Sequence, residues 1–443
     1  MAVTIRIHRG TDQIGGTITE IFTENTHIFI DFGAELSVSE EESTDADMIK
    51  MIQNSKCDAV LFTHHHGDHF GLFGEIPDNV KLGLGKTARG LMSNIYETLS
   101  GNKKDTEENR KEAQRLLDIL RDNDRWIDIC DKKAFSVGDF TITPIRVDHS
   151  AYDAFMFVIE AEGKCIVHTG DFRTHGRLGK DTFKRLSEYF NEKSVDVLIT
   201  EGTMLSRLSE KVMTEDEMEK KALEILKKNK HAFLICSSTN LESLASFHYA
   251  ALVHKRPMIV NRYVYKQLLL YRETAGKENP KMEFWKAYPF ENMYVINPKL
   301  DGGMTQPEYM KKHGFVMLVG AGDSYTKRME YFRDEDPLLI YSMWSGYLDK
   351  ENPAFNQKLF DVYNKWRHIR LHTSGHACKE DIEEMIKCVK PSRAIIPIHT
   401  EKKELFSELD ISEFAKLVKP LSDGEDHILN GTDKKLTQRE SNE

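Results

Sequence analysis

FTHHHGDHFG, residues 62–71, sets four histidines and an aspartate within ten positions. The run before it, DAVLFT at 58–63, is mostly apolar and reads as a buried strand. Gly67 and Gly71 then interrupt any regular structure. The histidines therefore belong to a loop at a strand's end, where α/β proteins place their chemistry. A lone histidine is usually a surface or satisfied core residue. Four potential ligands among the six residues 64–69 are a different matter. Imidazole nitrogen and carboxylate oxygen together suit Zn²⁺ or Mn²⁺. His64 and His66, two apart, can converge on one ion, and Asp68 and His69 on the next bend can serve a second. His65, between two inward-pointing neighbours, should point away.

At 443 residues the chain is too long for one simple core, and two domains are expected. Hydrophobic residues make up 40% and charged residues 30%, an ordinary soluble balance, and no stretch approaches the roughly 20 apolar residues of a membrane span. MAVTIRIH at the start alternates like a strand and predicts no secretory signal. Six cysteines without a CxxC pair argue against a disulfide framework or a cysteine-ligated zinc, and for a cytoplasmic location. A net charge of −10 argues against a nonspecific coat for nucleic acid, though a local basic groove with bound cations can override the total.

From residue 1 to about 200, strands are expected at 17–22, 27–31, 59–63, 140–147, 154–160, 164–169 and 195–200. The stretch 100–131 reads as a charged, solvated helix with Leu116, Leu117, Ile119 and Leu120 as its apolar stripe. After residue 200 an amphipathic helix at 214–229 leads to a strand at 231–236. Strand–helix alternation continues through 258–260, 293–296, 315–319 and 338–341, which predicts a second α/β unit with a parallel sheet.

Three more strand ends carry candidate ligands: VDHS at 147–150, HTGDF at 168–172 and IPIHTE at 396–401. With the histidine loop they give seven residues, His64, His66, Asp68, His69, His149, Asp171 and His399. Such a set suits a two-metal site, whose ions lie about 3.5–4 Å apart and lower the pKa of water to about 7.

With these motifs assembled, the sequence resembles the metallo-β-lactamase fold, carrying its HxHxDH segment, the later His149, the GDF aspartate and the late His399. Asp31 in IDFG matches that fold's first acidic motif, which orders the active-site loop. His399 follows Asp171 by 228 positions, so the resemblance implies an inserted domain. TEGT at 200–203, TSGHA at 373–377 and IHTE at 398–401 resemble motifs A, B and C of the β-CASP nuclease branch, and ribonuclease J is the nearest likeness within it. In that branch a histidine at motif C accompanies RNA processing and a valine DNA repair, so His399 points to RNA. YSMWSG at 341–346 is not matched by these motifs. Ribonuclease J enzymes usually carry a further C-terminal domain, and the present sequence runs about forty residues past His399.

The resemblance implies an α/β architecture: a four-layer αββα metallo-β-lactamase domain built from 1–202 and 370–443, with a β-CASP domain inserted at 203–369. It implies a metal-dependent, 5′-to-3′ exonuclease on 5′-monophosphorylated single-stranded RNA, with endonuclease action also open. Two divalent ions, Zn or Mn, are expected, with no membrane and with a homodimer left open. Asp68, Glu201 and His376 are the expected catalytic residues. His376 would protonate the leaving oxygen or stabilise the transition state, and Glu201 would orient His376 or His399. Ser374, Gly375 and His376, before a helix starting near Lys379, would hold a substrate phosphate. Ser237, Ser238 and Asn240 precede another helix and are explained nearly as well by a simple N-cap. Residues 254–288 hold eight Lys or Arg against three Glu, interleaved with Tyr263, Tyr265, Tyr271, Phe284, Trp285 and Tyr288, which suggests an RNA path; a solvated helix over core aromatics competes with it. The alternatives are a DNA nuclease, a small-molecule hydrolase on the same metal scaffold and a non-catalytic RNA-binding scaffold.

Overall fold

The structure, a computed structural model, describes residues 2–36, 43–207, 212–278, 290, 293–295 and 305–430. Three sheets organise the chain. The first has seven strands in the order Asp426–Leu429, Val3–Arg9, Ile18–Phe22, His27–Ile30, Ala59–Leu61, Lys81–Gly85 and Trp126–Ile129. The second has six, in the order Ala394–Ile398, Val197–Glu201, Lys164–His168, Ala154–Ala161, Phe140–Val147 and Phe135–Val137. Both are mixed, with antiparallel hairpin-like pairs at one side and parallel pairs at the other.

These two sheets pack face to face. Ile5, Ile7, Ile28, Ile30 and Leu61 of the first share one core with Ile142, Phe157, Ile166, Ile199 and Ile396 of the second. Alternate residues of the same strands face outward onto helices. Phe29, Val60 and Leu82 meet Ile52, Ala88 and Leu120, while Val158, Val167 and Leu198 meet Leu186, Ile382 and Ile386. The result is the αββα layering expected from the sequence.

The third sheet is wholly parallel, in the order Met293–Val295, Met258–Val260, Phe315–Leu318, His231–Cys236, Leu338–Ser342 and His368–Arg370. Its four central strands are buried on both faces, as parallel sheets require, while the edge strands Met293–Val295 and His368–Arg370 are partly or fully exposed. Ala232 and Leu234 point to helices Glu215–Lys228 and Leu241–Val253, and Phe233 and Ile235 point the other way.

The reading of 100–131 as a solvated helix is half right. Helix Glu107–Arg121 is there, with Leu117 and Leu120 of the expected apolar stripe buried, but Trp126–Ile129 continues as the last strand of the first sheet. A short strand carrying one charge among apolar residues is easily lost behind a charged helix. Among the described residues no helix is long and apolar enough to cross a membrane.

Candidate metal centre

The histidine loop is placed by its neighbours' backbone. Phe32 N donates to His69 O at 2.8 Å, Ala34 N to Gly67 O at 2.9 Å and Thr17 N to Asp68 O at 3.0 Å. Gly33 is required for this approach, because a Cβ there would lie 1.7 Å from Asp68 O. Asp31 adopts a left-handed φ of 62°, unusual for a residue with a side chain. That turn carries its carboxylate under the loop. Oδ1 accepts from Thr63 N at 2.7 Å, and Oδ2 meets His69 Nδ1 at 2.8 Å. Asp31 therefore orders the loop, as expected of it.

All seven residues expected as ligands come together, from four separate strand ends. His64, His66 and His149 form one group, and Asp68, His69 and His399 a second. Within each, the candidate ligand atoms lie within 4.8 Å of one another. Asp171 stands between them: its Oδ2 is 4.0 Å from His64 Nε2 and from His149 Nε2, 3.1 Å from His69 Nε2 and 3.8 Å from His399 Nε2. His399 Nε2 is 3.2 Å from Asp68 Oδ2.

The outer ring nitrogens are engaged. His149 Nδ1 donates to Gly375 O at 2.6 Å, His399 Nδ1 meets Thr203 Oγ1 at 2.8 Å, and His64 Nδ1 meets Thr63 Oγ1 at 3.1 Å. Such contacts fix the ring and leave the inner nitrogen for a cation. The inner atoms are buried and unserved. His64 Nε2, His69 Nε2 and both Asp171 carboxylate oxygens lack a hydrogen-bond partner among the described residues. Although His69 Nε2 and Asp171 Oδ2 are only 3.1 Å apart, they are not in hydrogen-bond geometry. Orphaned buried polar atoms are costly, and convergent nitrogen and oxygen donors are what a divalent cation needs, so the residues present fit such an ion.

The electrostatics agree. Burial, with neighbouring imidazoles, pushes His64 and His149 well below the ordinary histidine range, and burial takes His66 down to about 4. These three are neutral, as ligands must be. For His69, burial opposes a charge, but Asp171, Asp31 and Asp68 outweigh it and raise the group well above its ordinary value. The same carboxylate field favours any cation placed there.

Glu201 and His376 join the cluster from the other side. Glu201 Oε2 lies 3.1 Å from His376 Nδ1, and its Oε1 accepts from Phe172 N at 2.8 Å. Of the two partners expected for Glu201 it takes His376, while His399 is served by Thr203. Burial opposes the His376 charge, but Glu201 and Asp171 hold it at about 9. His65 is buried, belongs to neither ligand group, and has both ring nitrogens without a partner among the described residues.

Ser374 is fixed through its carbonyl, which accepts from Arg173 Nη1 at 2.9 Å and His175 Nε2 at 2.7 Å. Sequence reasoning passed over Arg173, two residues beyond Asp171 and fully buried. The helix Lys379–Val389 does follow the SGHA turn, but its N-terminus carries Glu380 and Asp381, and Asp381 Oδ2 accepts from Cys378 N at 3.2 Å. The chain's own carboxylates serve that helix end, so the dipole argument for phosphate loses force and side chains must carry more of it. Asn240 is a plain N-cap, accepting from Ser243 N at 3.2 Å. On the expected RNA path, Tyr271 is fully buried with its Oη donating to Thr239 O at 2.8 Å, and Val264 and Leu268 are core. There the core explanation holds; Lys281, Phe284, Trp285, Lys286 and Tyr288 lie outside the described residues.

Comparison with known proteins agrees with this geometry. Residues 41–235 match the family model described as a beta-lactamase superfamily domain. Residues 367–414 match one described as a Zn-dependent metallo-hydrolase RNA specificity domain. The chain is 24% identical over 414 residues to a ribonuclease J of Helicobacter pylori (strain ATCC 700392 / 26695), covering 88% of this chain and 55% of that one. To a ribonuclease J of Pyrococcus abyssi it is 20% identical over 441 residues, covering 91% of each. It thus spans about half the length of the Helicobacter relative. A crystal structure of a protein of unknown function from Enterococcus faecalis V583 shares the fold, at a TM-score of 0.70 and 19% identity over 97% of this chain and all of that one.

Proposed function

Because the chain belongs to the metallo-β-lactamase superfamily and carries an RNA-specificity segment, we propose that it is a metal-dependent ribonuclease. It acts on single-stranded RNA, removing nucleotides 5′-to-3′ from a 5′-monophosphorylated end, with endonuclease action at internal sites. The division into 1–202 with 370–443 and an inserted 203–369 belongs to the same reading. The observation that carries it is the meeting of two ligand groups, His64–His66–His149 and Asp68–His69–His399, about the buried Asp171.

Two divalent ions, Zn or Mn, would be held there and would supply an activated water and offset charge on the phosphoryl oxygens. The remaining work falls to side chains. Asp31 and Thr203 hold His69 and His399 in orientation. His376, oriented by Glu201, delivers a proton to the departing 3′ oxygen. Ser374 and Gly375 seat a substrate phosphate beside His376, with the turn anchored by Arg173 and His175.

The test compares single-stranded RNA bearing a 5′-monophosphate, triphosphate or hydroxyl, with Mn²⁺ or Zn²⁺. The monophosphate should be degraded fastest and His66→Ala should be inert. Intact RNA after incubation with metal-loaded protein would sink the reading. Turnover of DNA or esters instead would put one of the other hydrolases in its place.

A further inference from the structure

Two segments that follow parallel strands of different sheets, the second and the third, meet beside this site. One is the helical turn Thr203–Arg207, which follows the strand Val197–Glu201. It begins at the residue that holds His399. The other follows the strand Leu338–Ser342 of the third sheet and contains Trp344 and the turn Ser345–Leu348. In open α/β sheets, ligands bind at such carboxyl ends.

Across this junction the Arg207 guanidinium lies over the Trp344 indole, 4.7 Å from its ring centroid. Tyr347 stands edge-on to the same indole, with centroids 5.6 Å apart and planes at 80°. The indole is well fixed. The Trp344 carbonyl accepts from Oη of the buried Tyr341 at 3.1 Å. Gly346 lets backbone pass against the ring, because a Cβ there would come within 2.3 Å of it. Arg207, Trp344 and Tyr347 are all only half-buried.

We propose that Arg207, Trp344 and Tyr347 form a seat for a nucleobase of the RNA strand being cut, the Arg207–Trp344 stack offering a flat cationic face and Tyr347 its side wall. The inference rests on the ribonuclease reading and adds to it a contact with the base. The chemistry fits: every base has a π-face, aromatic and guanidinium planes stack on it without reading sequence, and the cation suits a polyanion. The alternative is a tether between sheets with no substrate role. Such a tether would affect stability, and would affect all substrates alike.

The experiment uses metal-loaded full-length protein and two 5′-monophosphorylated oligomers of equal length, one of ordinary RNA and one with abasic ribose at every position. The readout is the ratio of their kcat/KM values. Wild type should prefer the base-bearing oligomer. Trp344→Ala should cut that preference roughly 5- to 100-fold, the range of base–aromatic stacking. Trp344→Phe should restore part of it, and Arg207→Gln should show a smaller loss. An unchanged ratio in folded Trp344→Ala, with RNA still cleaved, overturns the base seat and leaves the ribonuclease reading intact. Equal losses on both oligomers overturn it in favour of the tether. No cleavage of either oligomer by wild type overturns both. Should Trp344→Ala fail to fold, the same ratio is decided on Arg207→Gln and Tyr347→Leu.

Discussion

Two clusters of buried charge sit side by side in this molecule and are built on opposite plans. They even share segments: Asp148 precedes His149, and Arg173 follows Asp171 by two residues. Around Arg173 the chain supplies its own counter-charge. Its Nε donates to Asp148 Oδ1 at 3.1 Å, and its Nη2 to Glu242 Oε2 at 3.0 Å and Glu215 Oε1 at 3.3 Å. Ser243 Oγ and Arg177 N donate to those same Glu215 and Glu242 oxygens, and Ser246 Oγ donates to Glu215 Oε2. Around Asp171 the buried atoms face each other unserved. Of the Arg173 cluster's carboxylate oxygens only Asp148 Oδ2 lacks a partner among the described residues, whereas both Asp171 oxygens do; a cluster largely completed by a guanidinium is structure, and one left open for an outside cation is a site. The Arg173 cluster joins two strand ends of the second sheet to two helices of the third sheet's unit, and it also grips Ser374. The self-contained cluster thus acts as the mount for the open one.

This contrast can be broken in measurable ways. The largest effect should come from the open cluster. His66→Ala or chelation should lower RNA hydrolysis by at least roughly 100-fold, since even outer partners of ligands cost that much. The metal-free melting temperature should stay near that of wild type. Adding Zn²⁺ or Mn²⁺ at about 1,000 times its Kd should stabilise wild type by about 4 kcal/mol, read by thermal or denaturant unfolding, and should stabilise His66→Ala less. A variant that unfolds would show the two clusters to be alike.

Arg173→Met inverts the pattern. It takes the guanidinium from three buried carboxylates, Asp148, Glu215 and Glu242. Destabilisation of about 3–5 kcal/mol is expected by chemical denaturation. A fully stable Arg173→Met protein would remove the distinction drawn here.

Glu201→Gln lies at the border of the two designs. It keeps the shape but weakens the hold on His376, and kcat should fall roughly 10- to 100-fold with KM much less affected, measured by steady-state kinetics. The smallest effect belongs to Glu20, a buried carboxylate outside both clusters, clasped at 2.9 Å by His8 and 2.7 Å by His27. Burial opposes its charge, but the two histidines outweigh it and hold its pKa below the ordinary 4.5. The unfolded chain therefore binds the proton more readily. The stabilisation is full above that ordinary value and is lost as pH falls through the lower, folded one. Unfolding midpoints of wild type and Glu20→Gln should converge on acidification below pH 4.5.

Much of this was legible beforehand because chemistry and period coincide. The ligand residues sit directly behind apolar strands, and the strand His231–Cys236 reads true to both ends. Lys81–Gly85 was absent from the expected strands: glycine is a poor strand former, yet a Cβ at Gly83 would meet the Leu61 side chain at 2.7 Å. Asp426–Leu429 gains its strand character only by pairing with Val3–Arg9, more than 400 residues away. The choice of His376 over His399 for Glu201 was equally hidden, because spacing along the chain carries no information on which imidazole arrives. Arg173 showed no signal at all, since a single arginine beside a motif looks like an ordinary surface residue.

The strand that delivers His399, Ala394–Ile398, pairs in parallel with Val197–Glu201. At roughly 5–20 residues per second, a ribosome needs about 10–40 s to travel from one to the other. For that interval Val197–Glu201 waits with an open edge, a hazard for sticking to other nascent chains. During the same interval the cluster lacks one of its histidines, so the candidate metal centre is completed only once residue 399 has been made.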